Sequence, residues 1–237
     1  MTLHERTGAP ARLFPLLTLL LLLTGPFCHA QQDYVGRYDI YTGVSTLYTP
    51  GLNNITQVGF HFQAGINNTR WLATGFDYSV QSGDTGLTAN LATQALQEEL
   101  AAELPPGYVL NIPLHANTQT FTFGTQFNYR HFSWVTLFAR PVVDAFRISA
   151  TPHPTDLIGT IVSEQLVPQG TKLDWVGAYG AGGGADFIVT DHLGIRIQYD
   201  GAWNHPFNDI LGKGNWSNRF SVGPSFHFGK NVPAHKK

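Results

Sequence analysis

The sequence predicts an all-β protein, an eight-stranded antiparallel up-and-down β-barrel. Three observations support this prediction. Eight segments alternate large apolar residues with small or polar ones, the period of two that places successive side chains on opposite faces of a strand. The connections between these segments are alternately short and long. Only 13% of the residues are charged, whereas 25 are glycine and 13% are aromatic, which suits a β protein whose outside is not water.

The first four predicted strands cover 38–48, 58–66, 71–80 and 118–130. The fourth is the clearest, because Phe121, Phe123 and Phe127 oppose threonine, glycine and glutamine residues. The apolar faces of the first three strands comprise Tyr38, Ile40, Thr42, Val44, Phe60, Phe62, Ala64, Ile66, Leu72, Thr74, Phe76 and Tyr78.

The last four predicted strands cover 134–147, 175–189, 194–203 and 220–228. The fifth strand is less regular, because Phe138 falls among its polar positions. Pro141 donates no ladder hydrogen bond, which predicts a bulge or an interruption there. The sixth strand is rich in glycine. The seventh and eighth alternate cleanly, with Ile195, Ile197 and Tyr199 opposing arginine, glutamine and aspartate in the seventh.

The connections predict which end of the barrel is which. Short turns lie at 67–69, 131–133 and 190–192, and longer loops join strands 1–2, 3–4, 5–6 and 7–8. Short periplasmic turns and long extracellular loops are typical of outer-membrane barrels, and eight strands place both termini on the periplasmic side. Within the loop 81–117, residues 87–104 predict one amphipathic helix that ends before Pro105.

A sheet with one apolar and one polar face is stable as a closed cylinder with lipid outside and a polar interior. The sequence therefore predicts a transmembrane barrel over residues 31–229, followed by a periplasmic tail, 230–237. Residues 1–30 predict a cleaved secretory signal peptide, because two arginines precede an apolar run that ends before Cys28-His29-Ala30. Cleavage after Ala30 leaves no cysteine. A net charge of −2 and scattered basic residues argue against nucleic acid as a partner.

The chain resembles the small outer-membrane β-barrel family of Gram-negative bacteria that includes the OmpA transmembrane domain and OmpX. The resemblance covers 34–229 and lies in segments such as Asp39-Ile-Tyr-Thr-Gly43, Trp71-Leu-Ala-Thr-Gly-Phe-Asp-Tyr78, Gly182-Gly-Gly-Ala-Asp186 and Phe226-His-Phe228. It implies an outer-membrane location, with membrane lipids and the barrel assembly machinery as partners. It also implies that the aromatic residues of the last strand, Phe220, Phe226 and Phe228, act as the assembly signal.

The inward-facing charges are the candidate site residues. We expect them to form ion pairs that fill the lumen, because an isolated ion there loses hydration without compensation. Asp186 and Arg196 flank one tight turn and are candidates for one pair. A gated path for small solutes is the alternative. The candidates are Asp39, Asp77, Arg130, Arg140, Asp144, Asp186, Arg196, Asp200 and Arg219.

Five tryptophans fall near predicted strand ends, where aromatic girdles lie in membrane barrels. They are Trp71, Trp134, Trp175, Trp203 and Trp216. We interpret them as girdle residues, with substrate stacking as the alternative.

The predicted function is non-enzymatic: a structural or surface-interaction role in the cell envelope, with the loops 81–117 and 148–174 contacting an extracellular partner. A narrow porin-like channel is one alternative. A lipid-modifying enzyme is another, since lipid A deacylases of similar size use a His-x-Ser pair such as His131-Phe132-Ser133. A secreted lipocalin-like barrel with apolar residues inside is a third. No cofactor or metal is predicted.

Overall fold

The computed structural model describes residues 32–233 and forms a closed antiparallel barrel of eight strands. Each strand pairs with the next, and β1 pairs with β8, which confirms the predicted up-and-down topology. The predicted signal peptide, 1–30, and the last residues of the predicted tail, 234–237, lie outside the described residues. The strands are β1 Tyr38–Thr49, β2 Ile55–Asn67, β3 Leu72–Thr88, β4 Asn111–Tyr129, β5 Val135–Pro152, β6 Lys172–Thr190, β7 Leu193–Asn204 and β8 Asn215–Phe228.

The alternation in the sequence becomes an alternation of burial. In β7, Ile195 and Tyr199 are each 49% exposed on the outer face, whereas Gln198 is fully buried inside. In β5, Phe138 is buried with the polar set, so the irregular position in that strand is an inward-facing phenyl ring. Large apolar side chains therefore cover the outside of the barrel, and most charged side chains of the strands lie inside.

Several strands extend beyond their predicted ends. β3 and β4 pair as far as Thr88 and Asn111, and β5 and β6 pair as far as Ala150 and Lys172. The predicted loops 81–117 and 148–174 therefore shrink to 89–110 and 153–171. The sequence missed these extensions because backbone pairing with a neighbouring strand maintains them without a clean apolar alternation.

The predicted long loop between strands 1 and 2 is wrong. β1 and β2 instead meet in a short turn, 50–54, in which Asn53 and Asn54 have φ values of 51° and 55°. Asparagine tolerates this left-handed region better than most residues. Hereafter, the short-turn rim is the end of the barrel with turns 68–71, 130–134 and 191–192. The long-loop rim is the opposite end, with loops 89–110, 153–171 and 205–214.

Pro141 interrupts one ladder and not the other. It pairs with Ala181 on β6, but pairing with β4 lapses between Thr122↔Asp144 and Phe127↔Ala139. The register is the same on both sides of the gap, so β5 continues without a bulge. The missing N–H of proline is therefore accommodated by a local break on the β4 side.

The loops at the long-loop rim carry two helices. Helix α1, Gln94–Glu103, lies within the predicted span 87–104, which begins instead with the end of β3 and a 3-10 turn at Ala89–Leu91. A second helix, α2 at Leu157–Leu166, was not predicted; the signal was Asp156, whose side chain caps it. Neither helix is long and apolar enough to cross a membrane.

The interior has two layers. Towards the short-turn rim it is polar, as the sequence predicts. Towards the long-loop rim it is apolar: Leu47, Val142, Phe146, Ala178 and Ala202 form a buried cluster. A second cluster, made by the loops and the start of β4, covers it with Leu100, Leu110, Ile112 and Val162. The expectation of a hydrophilic filling along the whole barrel is therefore wrong, because inward positions near the long-loop ends of the predicted strands hold apolar residues.

We expect a cation on the outer face to destabilise the barrel in lipid according to its depth. Val44 is 65% exposed near the middle of β1, so Val44→Arg should lower the free energy of unfolding in phospholipid vesicles by about 2–4 kcal/mol. Ile66 lies next to a short turn, and Ile66→Arg should cost only about 0–1 kcal/mol. Urea titrations of vesicle-refolded protein measure both values. Equal losses at the two positions would contradict a lipid-facing outer surface.

Candidate functional site

One group of paired charges occupies the middle of the barrel. This central cluster consists of Asp77, Arg140, Asp200 and Arg219, from β3, β5, β7 and β8. Arg140 donates from Nε and Nη2 to the two carboxylate oxygens of Asp200, at 2.9 Å each, and its Nη1 contacts Asp77. Arg219 also donates to Asp200, at 2.9 Å, and to the hydroxyl of Ser79, at 2.8 Å. The cluster therefore ties four strands together across the lumen.

A second group lies nearer the short-turn rim. This rim cluster consists of Asp39, Arg130, Asp186, Arg196 and His227. Asp186 and Arg196, the pair inferred from the tight turn, are ladder partners, and Arg196 Nη2 lies 2.6 Å from the Asp186 carboxylate. His227 Nδ1 lies 2.7 Å from Asp39, and Arg130 Nη2 lies 4.0 Å from it. These contacts link β6 to β7 and β1 to β8, and they join the turn after β4 to β1.

Asp144 is held differently from the other predicted aspartates. It accepts a hydrogen bond from the hydroxyl of Thr122, its ladder partner on β4. Its position on β5, four residues after Arg140, places it on the long-loop side of the central cluster and next to the apolar layer. The structure therefore brings eight of the nine predicted residues into two ion-paired groups and leaves Asp144 beside them.

Several residues of this interior were not singled out from the sequence. His61 contacts Ser221, at 3.0 Å, and Asp77, at 3.4 Å. The guanidinium of Arg196 lies 5.5 Å from the ring centroid of Tyr41 and 5.2 Å from that of Phe138, a cation–π arrangement. The inward face of each strand was the available signal, since it already contained His61 and Phe138. Alternation alone does not give contacts between strands that are not neighbours.

Little free space remains between the two clusters. A cavity of about 20 Å³ is lined by residues of both, including Asp39, Arg196, Asp77 and Arg140. Because one water needs about 10–15 Å³, this cavity holds about one water molecule. The side chains thus fill the polar half of the lumen, as expected for a barrel of eight strands.

The lumen contains two serine–histidine–aspartate arrangements. In one, His227 lies between Asp39, at 2.7 Å, and Ser225, at 3.4 Å. The other is the Ser221–His61–Asp77 group. Both serines are at most 1% exposed, and the Ser225 hydroxyl donates to Asp186 at 2.5 Å. A serine nucleophile must reach a substrate and pass its proton to the histidine, so these groups act as hydrogen-bonded filling.

His131 and Ser133 lie in the exposed turn 130–134 on the short-turn rim. The His131 ring packs 5.8 Å from the ring of Tyr129 and 5.6 Å from that of Phe132. Within residues 32–233, no group of three or more His, Cys, Asp or Glu side chains is arranged to hold a metal ion.

The predicted girdle residues lie near both ends of the strands. Trp71 and Trp134 are near the short-turn rim, where they stack on Phe127 and Phe187 with ring centroids 6.3 and 6.1 Å apart. The other three, Trp175, Trp203 and Trp216, are near the long-loop rim. In the last strand, the outward-facing residues Phe220, Phe226 and Phe228 are 50%, 43% and 43% exposed.

The two helices of the long-loop rim are connected through Asp156. Its carboxylate accepts from the Gly159 amide, at 2.6 Å, and from the Tyr108 hydroxyl, at 2.9 Å. The Gly159 hydrogen bond, with that of Tyr108 second, lowers the pKa of Asp156. One carboxylate thus caps α2 and links it to the segment that follows α1.

Removing one partner of the central cluster should be costly. Arg140→Met leaves Asp77 and Asp200 without their main counter-ion, and we expect it to destabilise the barrel by about 3–5 kcal/mol. Lys172, which pairs with Asp209 at the partly exposed loop end, is the matched control, and Lys172→Met should cost less than about 1 kcal/mol. Urea unfolding in detergent micelles, followed by tryptophan fluorescence, compares them. Similar losses would show that the central pairs contribute no more than a surface pair.

The cap on α2 should depend on pH. Because the pKa of Asp156 is lowered in the folded protein, its stabilisation is complete above the ordinary carboxyl pKa and is lost as the pH falls through the lowered value. We expect the protection of the Gly159 and Thr160 amides from exchange, measured relative to their intrinsic exchange rates, to fall on acidification. Asp156→Asn, which can still cap the helix but does not titrate, should remove this pH dependence. Persistence of the dependence in that variant would assign it to another group.

No protein-family model and no curated protein sequence matches this chain. Solved structures do match. Neisserial surface protein A is 11% identical to this chain. The match covers 83% of this chain and 100% of that protein's chain, with a TM-score of 0.51. OprG from Pseudomonas aeruginosa is 8% identical over 84% and 99% of the two chains, with a TM-score of 0.49. Ail of Yersinia pestis is 13% identical over 82% and 99%, with a TM-score of 0.46.

The match to Neisserial surface protein A is a similarity of fold. It agrees with the closed eight-stranded topology and with the fold implied by the resemblance to the OmpA transmembrane domain and OmpX. The chain has the fold of the small eight-stranded outer-membrane β-barrels.

Proposed function

We propose that this protein is a non-enzymatic, non-conducting integral outer-membrane barrel that displays its long loops at the cell surface for interaction with a partner. The observation that carries the proposal is the filled lumen. Two ion-paired clusters occupy its polar half and an apolar layer occupies the other. A barrel closed along its axis serves as a rigid support for its loops.

The outer surface supports a membrane location. Phe123 is 72% exposed, Val143 63% and Tyr179 62% on the outer face, where a surrounding acyl phase removes the cost of their contact with water. Tryptophans near both rims suit the two membrane interfaces. Export through a cleaved signal peptide, 1–30, and recognition of Phe228 by the barrel assembly machinery complete this proposal. In it, the tail 230–237 lies in the periplasm.

The long-loop rim supports a surface-interaction role. Its loops are packed on a core of their own, with Leu100, Leu110, Ile112 and Val162 buried beneath the helices. On the outside of α2, Leu157 is 76% exposed and Ile161 is 50% exposed, one helical turn apart. Apolar side chains held on an ordered loop surface are suited to contact with another protein.

The alternatives fit the arrangement less well. A channel needs a continuous path, whereas the space between the two clusters holds about one water molecule. A lipid A deacylase needs its serine and histidine near the outer leaflet, whereas His131 and Ser133 lie at the short-turn rim, which this proposal places in the periplasm. A lipocalin needs apolar residues lining its whole interior, whereas residues such as Phe123 and Tyr179 face outwards here.

Planar-bilayer recordings test the closed lumen. We expect the reconstituted wild-type protein to give no discrete conductance steps, because charged side chains and an apolar layer obstruct the axis in series. Heat-dependent migration of the same sample on SDS gels establishes that folded barrel is present. Reproducible single-channel steps from such a sample would favour the porin alternative.

A second measurement addresses enzymatic activity. The mass spectrum of lipid A from cells that express the protein should match that of control cells. A new deacylated species that disappears in a Ser133→Ala variant would replace the structural role with a lipid-modifying one.

A further inference from the structure

The apolar half of the lumen contains a cavity that is separate from the ion-paired clusters. Its volume is about 110 Å³, and it lies between the strand ends and the loops of the long-loop rim. Leu47, Ile112 and Phe146 line it from the strands, and Phe207 and Leu211 line it from the loop 205–214. Well-packed protein interiors contain few voids larger than a water molecule, so a space of this size in an otherwise filled barrel is notable.

The polar side chains of the cavity wall are already satisfied. Thr49 and Asn204 both bond to Ser217, at 2.9 and 2.8 Å, and Gln57 accepts from Thr118, at 2.8 Å. The same holds for the remaining hydroxyl and amine groups of the wall. Their partners are the Leu52 carbonyl for Thr85, the Thr160 carbonyl for Ser163 and the Asp209 carboxylate for Lys172. Each polar side chain of the wall therefore already makes at least one hydrogen bond or ion pair within the protein, and the surface that faces the cavity is predominantly apolar.

Size and wall chemistry together define the class of occupant. The volume is several times the 10–15 Å³ or so that one water needs, and a dry cavity of about 150 Å³ lined by leucine, isoleucine and phenylalanine binds benzene. A water molecule in this cavity is poorly stabilised, because a buried water needs two or more hydrogen-bonding partners. An uncharged molecule with one aromatic ring or a short alkyl chain fits both the volume and the wall. A peptide segment or a whole acyl chain is too large.

The loop over the cavity is held in an unusual conformation. Phe207 has a φ of 48°, in the left-handed region that a residue with a bulky side chain rarely adopts. Its amide donates to Asp174, at 2.6 Å, and Asp209 in the same loop pairs with Lys172. Two contacts to β6 thus hold the backbone where the phenyl ring contributes to the cavity wall. Backbone strain of this kind is concentrated at ligand-binding sites.

We propose that this cavity is a binding site for a small uncharged hydrocarbon that enters from the long-loop side. The central and rim clusters close the lumen beneath it, so the site captures its ligand and does not conduct it through the barrel. The proposal is independent of whether the loops bind a protein partner.

Toluene is the probe for a direct test. Protein with ¹³C-labelled isoleucine methyl groups, reconstituted in lipid nanodiscs, is titrated with toluene and followed by NMR. Ile112 and Ile148 line the cavity, whereas Ile40 and Ile195 face outwards and report partitioning of toluene into the lipid. We expect saturable shifts at the two cavity methyl groups and only weak, non-saturating shifts at the two outer ones.

A matched pair of variants locates the effect. Ala116 is buried in the cavity wall, and Ala116→Phe should fill the space and weaken toluene binding at least tenfold. Ala64 lies on the outer face of β2, so Ala64→Phe should leave binding unchanged. Heat-dependent migration on SDS gels verifies folding. If Ala116→Phe does not fold, Ala150→Leu, at a more peripheral wall position, serves in its place.

Three results would overturn the proposal. The first is folded wild-type protein whose cavity methyl groups show no saturable shift. The second is binding that persists unchanged in a folded cavity-filling variant. The third is a set of nuclear Overhauser cross-peaks between the cavity methyl groups and lipid acyl protons, which would identify a membrane lipid as the occupant.

Discussion

Four arginines and five aspartates lie buried inside the barrel described by residues 32–233, and the fold depends on how they are paired. A guanidinium in this interior is tolerated only when carboxylates and hydrogen bonds replace its lost water. Arg140 meets this requirement by bridging Asp77 on β3 and Asp200 on β7, two strands that are not neighbours. The pairing therefore links distant walls of the cylinder and opposes both its collapse and its opening.

The second half of the lumen obeys a different constraint. Near the long-loop rim the inward positions hold leucine, valine, phenylalanine and alanine, and the loop helices cover them as a small hydrophobic core. A polar filling stiffens one end of the barrel, while an apolar one couples the other end to its loops. This division explains how a single short barrel can have a closed axis and yet retain an apolar cavity beneath Phe207.

Much of the fold was accessible from the sequence because strand periodicity is a local property. The eight strands, their order and the inward position of each predicted charge follow from alternation and turn residues alone. The missed features depend on contacts distant in sequence. The extensions of β3 and β4 exist because the two strands hydrogen-bond to each other there. The short turn at Asn53 and Asn54 begins where β1 and β2 stop pairing. Helix α2 is set by the Asp156 cap and by apolar packing on the loop core.

The sequence by itself determined that an apolar outer face and a polar inner one would close into a cylinder, since side chains on a strand alternate whatever their neighbours are. It also placed Asp186 and Arg196 opposite each other, because only a tight turn separates them. Which charges meet across the lumen was decided by the tertiary structure alone. So was the apolar cavity, because barrel closure and strand tilt bring together residues from all eight strands, the turn 50–54 and the three long loops, which share no local pattern.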